Sequence, residues 1–275
     1  MFTAYGILSV ERSEEISKIL ELSPEKQTLY LKNFNGSVTI NGLNENVIRL
    51  EADKLITSDN SDGLETGFQE VQLVIEDVED GYFIYTEIPC SNVDIENRRI
   101  NYCHCEWEDY DFQVNFEVSV PENFNIEVTT INHGVVSLSN VVGNIVASNV
   151  NGPVYLNHVS GFVEATTVNG EVLVEFDAQP LSGSSFKTVN GSIELIGPSD
   201  LSAQVGFSAM NGDFYTNYDN VEQLPNKLVK STDEDSMKST YQLSSLPLIK
   251  IGKGDYDLSF ETLNGDIYLR NKENQ

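Results

Sequence analysis

From Gly134 onward the chain repeats one arrangement of apolar and polar positions every nine residues, with glycines at 134, 143, 152, 161 and 170. The second residue after each glycine is Val136, Ile145, Val154, Val163 or Val172, and the fourth is Leu138, Ala147, Leu156, Ala165 or Val174. Ser, Asn, Thr and Glu fill most positions between them, and the residue two before the next glycine is again apolar: Val141, Val150, Val159 and Val168. That alternation predicts a short strand with one buried face, closed by a tight turn. A phase held this long is the mark of stacked repeats. Gly152 and Gly170 follow Asn, whereas Gly143 and Gly161 follow Val and Ser, so the full unit is two halves, about 18 residues.

Asn-Gly recurs at 190–191 and 211–212, where Ile193 and Phe214 keep the apolar second position. The cassette also stands near both ends, as Phe34-Asn-Gly-Ser-Val38-Thr-Ile40 and Leu263-Asn-Gly-Asp-Ile267-Tyr-Leu269. Asn and Gly both tolerate left-handed backbone, so the pair predicts a bend made at the same place in each coil. The expected fold is all-β, a right-handed parallel β-solenoid whose coils stack at roughly 4.8 Å. The competing reading takes each Asn-Gly as the turn of an antiparallel hairpin. It offers no reason for a constant nine-residue phase.

Outside the repeat, 28–32, 37–41, 46–56, 68–78, 81–87 and 112–120 are expected as strands, with Pro121 closing the last. Residues 1–120 are read as a β-rich N-terminal section capping the stack, because an uncovered end would expose unpaired strand edges. Residues 121–275 carry the repeats, interrupted by a polar excursion at 218–250, a loop either mobile or laid over one face. Residues 13–22 suit a short helix or a strand equally.

Thr167-Val-Asn-Gly-Glu-Val172, Thr188-Val-Asn-Gly-Ser-Ile193 and Thr262-Leu-Asn-Gly-Asp-Ile267 share the form Thr-x-Asn-Gly-x-Ile/Val. With Leu29–Ile40 and Val118-Ser-Val-Pro121, they give the chain a layout that resembles the bacterial putative-adhesin family, a domain built of repeated Asn-Gly strands, over about residues 16–270. The resemblance implies a β-solenoid or roll exported to the cell envelope or beyond, with no established enzymatic activity and no family-wide functional residues to carry over.

Charge narrows the partners. Sixteen basic against 43 acidic residues give a formal charge of −27, which opposes phosphate backbones and anionic lipid. Nucleic acid is therefore not expected, and no run of about 18 apolar residues exists to span a bilayer. Met1–Val10 has neither a positive n-region nor a small-residue cleavage site, so it does not read as a secretory signal.

Catalysis is not expected either. Between Pro121 and Asn217 the sole Lys or Arg is Lys187, too few for an acidic-sugar lyase or for phosphoryl transfer. A glycosidase needs two carboxylates at a set separation, but Glu164, Glu171, Glu175, Glu194 and Asp213 fall at different positions of the repeat. No Gly-x-Ser-x-Gly elbow is present. The turns lack the regular Asp of calcium-binding β-rolls.

Cys103-His104-Cys105 with Cys90 is the one metal-like cluster in the sequence. Strand alternation would split its side chains between two faces, so free cysteines are expected, with no metal and no cofactor. His133 and His158 are read as turn residues. The third position after the glycines should point outward in one column: Ser137, Tyr155, Leu173, Glu194, Tyr215 and Tyr268. Tyr155, Tyr215 and Tyr268 are the candidate binding residues, for a glycan or a surface protein, unless the 218–250 excursion covers them. The expectation is a non-enzymatic envelope binding module, with a self-assembling structural solenoid and a carbohydrate-active enzyme as alternatives.

Overall fold

The computed structural model describes residues 9–89, 91–102, 109–225, 228–233, 238–243 and 247–274. The chain is all-β, with 64% of the described residues in strands and 5% in helix. Nearly all strands belong to two mixed sheets, one of ten strands and one of eleven. Their inward side chains form one apolar core.

The cassettes explain the arrangement. Each contributes a strand to the eleven-stranded sheet, turns at its Asn-Gly or equivalent corner, and contributes a second strand to the ten-stranded sheet. Thr28–Lys32 with Val38–Leu43 is one such rung, and Asn125–Thr130 with Val136–Ser139 is the next. Ile145–Asn149 with Val154–Gly161, Val163–Thr166 with Val172–Pro180, and Ser184–Asn190 with Ile193–Gly197 follow. Every pairing between these neighbours is parallel, with Val136 opposite Val154, Val172 opposite Ile193 and Ile145 opposite Val163. Antiparallel hairpins are thereby excluded for the repeat. The nine-residue half-units alternate between sheets, which is why the true period is their sum. The two inward positions of each half are completely buried, from Val136 and Leu138 to Ile193 and Leu195. Each Val, Leu, Ile or Phe among them contributes about 1.5–3 kcal/mol by leaving water.

The apolar position before the next glycine behaves in two ways. Val141 and Val159 are buried, whereas Val168 is exposed at the Asn-Gly corner and Val150 is half-buried there.

At the corner itself the backbone expectation holds for some glycines, Gly36 at φ 119° and Gly265 at φ 154° among them, but not for the asparagines. None of the Asn residues in the Asn-Gly pairs has a positive φ. Their amides instead form a ladder: Asn151 donates to Asn132 at 2.9 Å, Asn169 to Asn151 at 2.8 Å and Asn190 to Asn169 at 2.8 Å. A Cβ on Gly152, Gly170 or Gly191 would overlap the carbonyl oxygen of the glycine in the preceding rung. Glycine is needed here mainly because backbones stack too closely for a side chain. Below it, Thr167 Oγ1 donates to Gly152 O at 2.7 Å and Thr188 Oγ1 to Gly170 O at 2.8 Å. Thr-x-Asn-Gly is thus a register lock between rungs.

Rung order departs from chain order. Tyr256–Asn264 with Ile267–Asn271 pairs in parallel on Ser184–Asn190 with Ile193–Gly197. Ala203–Asn211 with Phe214–Thr216 pairs on the far side of it. The C-terminal cassette therefore lies between two rungs that are consecutive in sequence, and the ladder runs on from Asn190 through Asn264 to Asn211, at 2.7 and 2.8 Å.

At the N-terminal end, Val10–Glu21, Val47–Ser58 and Asp111–Pro121 extend the ten-stranded sheet past Val38–Leu43, and Gly81–Glu87 and Gln72–Val78 extend the other past Thr28–Lys32. Residues 28–43, inside the segment read as a cap, are themselves a rung. Residues 13–21 of the 13–22 segment lie in a strand paired antiparallel to Val47–Ser58 along its length. The expected strand at 68–78 is corrected at its start: Ser61–Glu70 is a helix, capped by Asn60, whose side chain accepts from Gly63 N at 2.8 Å, and the strand begins at Gln72. The 218–250 excursion is not a plain loop. Val221–Leu224 and Leu248–Ile251 join the eleven-stranded sheet, and Leu228–Asp233 pairs with Lys238–Leu243 as a separate hairpin.

Candidate recognition surface

The outward column expected from the sequence exists on the ten-stranded sheet. Ser137 lies opposite Tyr155, Tyr155 opposite Leu173, Leu173 opposite Glu194, Glu194 opposite Tyr268, and Tyr268 opposite Tyr215. Intercalation of the C-terminal cassette brings two of the three tyrosines together. Tyr215 and Tyr268 stack with ring centroids 5.3 Å apart and planes within 14°. Tyr155 stands apart, three strand steps or roughly 14 Å from Tyr268, behind Leu173 and Glu194.

The pair is held from below. Its strands come from two copies of one sequence, Asn211-Gly-Asp-Phe-Tyr215 and Asn264-Gly-Asp-Ile-Tyr268, so each tyrosine lies two residues beyond an Asp on the same face. Tyr268 donates its hydroxyl to Asp266 at 3.0 Å and Tyr215 to Asp213 at 3.4 Å. The Asp213 charge raises the Tyr215 pKa, and the hydrogen bond to Asp266 raises that of Tyr268, since each carboxylate disfavours a phenolate beside it. Arg270 sits over the Tyr268 ring at 5.0 Å and binds Glu194 at 2.5 Å. Tyr215, on the edge strand Phe214–Thr216, is 48% exposed, and the two rings border a shallow depression with Thr216, Asn217, Leu269 and Arg270. Tyr155 instead donates to Glu171 at 2.6 Å, and that bond, with burial, pushes its pKa up to about 12.

The acids weighed for glycosidase chemistry do not converge. Glu171 and Asp213 hold tyrosines, Glu194 pairs with Arg270, Glu164 is exposed on the other sheet, and Glu175 binds Lys272 at 2.6 Å. His133 and His158 both adopt left-handed backbone, with φ of 51° and 54°, as turn residues. Sequence reasoning missed one cluster: His158, Glu175 and Asp177 lie close enough to share a cation. Lys272 supplies a charge there, 3.1 Å from Asp177, which in turn lies 3.0 Å from His158. Val159 and Phe176 face each other across adjacent strands, a juxtaposition with no signature along the chain. Cys90, Cys103, His104 and Cys105 lie outside the described residues.

The comparisons with known proteins add little. No family model matches the chain, and no curated protein matches it. A crystal structure from Clostridium sporogenes ATCC 15579, described as a "putative cell adhesion protein", is similar at a TM-score of 0.43 and 11% identity, covering 95% of this chain and 100% of its own. That likeness is too distant to carry a function. Among the described residues no helix is long and apolar enough to cross a membrane.

Proposed function

We propose that the rungs form a β-solenoid and that the protein is a non-enzymatic binding module of the cell envelope, recognising a surface ligand through the Tyr215–Tyr268 end of the ten-stranded sheet. The stacked, exposed aromatic pair, fixed by its own aspartates, carries this reading. An aromatic pair held in place offers contact area with little side-chain entropy left to lose. The dispersed acids, each engaged with a different partner or exposed on the other sheet, speak for binding over hydrolysis. The family resemblance in the Thr-x-Asn-Gly cassettes supports an envelope location.

The test is a binding screen of the purified chain against a glycan array, cell-wall fractions and surface-protein extracts. Binding is expected to fall at least tenfold in Tyr215→Ser/Tyr268→Ser and to persist in Tyr155→Ser. Equal binding by the double variant overturns the site.

A second reading, self-assembly along the stack, rests on the edges of the ten-stranded sheet. The N-terminal edge strand Val10–Glu21 is rich in charge, a known guard against edge pairing, whereas the opposite edge, Phe214–Thr216, has no charged residue. Sedimentation over a wide concentration range separates the two, since growth with concentration is expected of the assembling protein alone.

A further inference from the structure

The Tyr215–Tyr268 site was read above as a recognition surface of unspecified ligand; its geometry says more about what it takes. We propose that it binds an arginine side chain presented by a basic segment of a partner protein. The inference rests on that reading of the site and assigns its chemistry.

The column already contains one such contact. Arg270 lies over the Tyr268 ring and is neutralised by Glu194, which stands on the strand on the far side of Tyr268 from Tyr215. Moving outward, the order is Glu194 with Arg270, then Tyr268, then Tyr215, and then the open edge. Tyr215 has Asp213 beside it. The outer end thus repeats the elements of the inner contact, an aromatic ring and a carboxylate, and among the described residues no cation is paired with them.

Stacking also limits the alternatives. Rings with centroids 5.3 Å apart and nearly parallel cover each other's facing sides, and with Arg270 over Tyr268 the face offered to a ligand is that of Tyr215. A neutral sugar ring can stack on that face but draws nothing from the carboxylate beside it or from the charge of the chain. A cation needs only that face, within about 6 Å of the centroid, because the ring quadrupole attracts it. Guanidinium suits the site better than ammonium, since it stacks on an aromatic plane while forking two N–H groups to a carboxylate.

Long-range charge agrees. The chain carries −27, and across the N-terminal part of the same sheet Glu15 lies opposite Asp53 and Glu51 opposite Glu117. Such a field raises the local concentration of basic partners and repels acidic ones.

The experiment follows the tyrosine ring resonances of the full-length protein by NMR during titration with acetyl-Gly-Arg-Gly-amide. The counterpart with citrulline, which keeps the shape and loses the charge, is titrated alongside. Saturable shifts of Tyr215 and Tyr268 are expected with the arginine peptide, with binding about fivefold or more weaker for citrulline. Asp213→Asn should weaken the arginine peptide severalfold, and Tyr215→Leu, which keeps apolar area but removes the ring face, should abolish the shift at Tyr268. Equal binding of citrulline, undiminished binding by Tyr215→Leu, or no shift at either ring overturns the proposal. If the peptide fails while the double tyrosine variant still loses a glycan or cell-wall ligand, the recognition surface stands and only the arginine assignment falls. Failure of both removes both.

Discussion

Each rung turns twice, and the two corners solve different problems. At the Asn-Gly corner the span from the last buried residue of one strand to the first of the next hardly varies: Asn149 to Val154, Thr167 to Val172, Thr188 to Ile193 and Thr262 to Ile267. At the opposite corner the spacing between the repeat's paired inward positions drifts, from Leu156 to Val163 in one rung and from Val174 to Ser184 in the next, with Val159 buried inside the first span and Phe176 and Pro180 inside the second. One corner is bound to its neighbours by amide ladder, threonine hydroxyl and glycine backbone. The other turns through left-handed residues such as Asn140, His158 and Gly183. Register is held on one side, leaving the other free to absorb changes in length.

Among single substitutions, the largest effect should come from putting a side chain into the glycine column. Gly170→Ala places a methyl into the carbonyl of Gly152, and only a backbone shift relieves it. A loss of about 3 kcal/mol is expected, read as a lower urea midpoint. Gly183→Ala, at the opposite corner, meets nothing nearer than Phe162 at 3.7 Å and pays only for its φ of +90°, about 1–2 kcal/mol. Equal losses would dissolve the distinction between the corners.

This difference also explains what could be read from the chain. Inward positions such as Val154 and Leu156 were legible because strand alternation and burial share a period of two. The Asn-Gly pair was legible as a recurrent corner but only in part of its mechanism, since close stacking and positive φ both select glycine and the sequence does not separate them. Rung order was hidden, because the cassettes at 211 and 264 carry equivalent corners and nothing local says which docks first. The tyrosine column was therefore foreseen, but the Tyr215–Tyr268 stack within it was not. The helix at Ser61–Glu70 was missed because its packed apolar residues, Leu64 and Phe68, span a single turn beside stronger strand signals.

Next in size is the buried threonine. Thr188→Val keeps the volume but leaves Gly170 O without its hydroxyl donor in a closed site, at about 1–2 kcal/mol. Asn169→Ala removes two ladder bonds, to Asn151 and from Asn190, but at an exposed position where water replaces them. About 1 kcal/mol is expected in the same urea titration. A larger loss for Asn169 than for Thr188 would make the ladder, and not the buried hydroxyl, the principal lock.

The drifting corner should respond to acid. Burial raises the Asp177 pKa, but hydrogen bonds and charge from His158 and Lys272 outweigh it and hold the carboxyl below its usual value. A depressed pKa means that Asp177 contributes stability above its unfolded pKa and loses it as pH falls through the folded one. The pair is largely exposed, so the contribution is under about 1 kcal/mol. Asp177→Asn should therefore match the parent below about pH 3 and fall slightly behind it above about pH 5, measured as thermal midpoints across that range.

The smallest effect is the most telling one for the comparison. Two glycines inserted between Ser182 and Gly183 lengthen a corner that is already longer than its counterpart at Gly161. Lengthening that exposed turn adds the slowly growing closure entropy, a few tenths of a kcal/mol, and opens the bonds from Ser184 N and Oγ to Leu181 O, an exposed carbonyl that water can satisfy. The same insertion between Asn169 and Gly170 would displace the amide, the glycine and every later position of the strand from their partners in both neighbouring rungs. A midpoint almost unmoved by the first insertion and collapsed by the second is the expected pair of results. If both corners tolerate two residues, register is carried by the buried side chains alone, and the Thr-x-Asn-Gly corner is a consequence of stacking and not its cause.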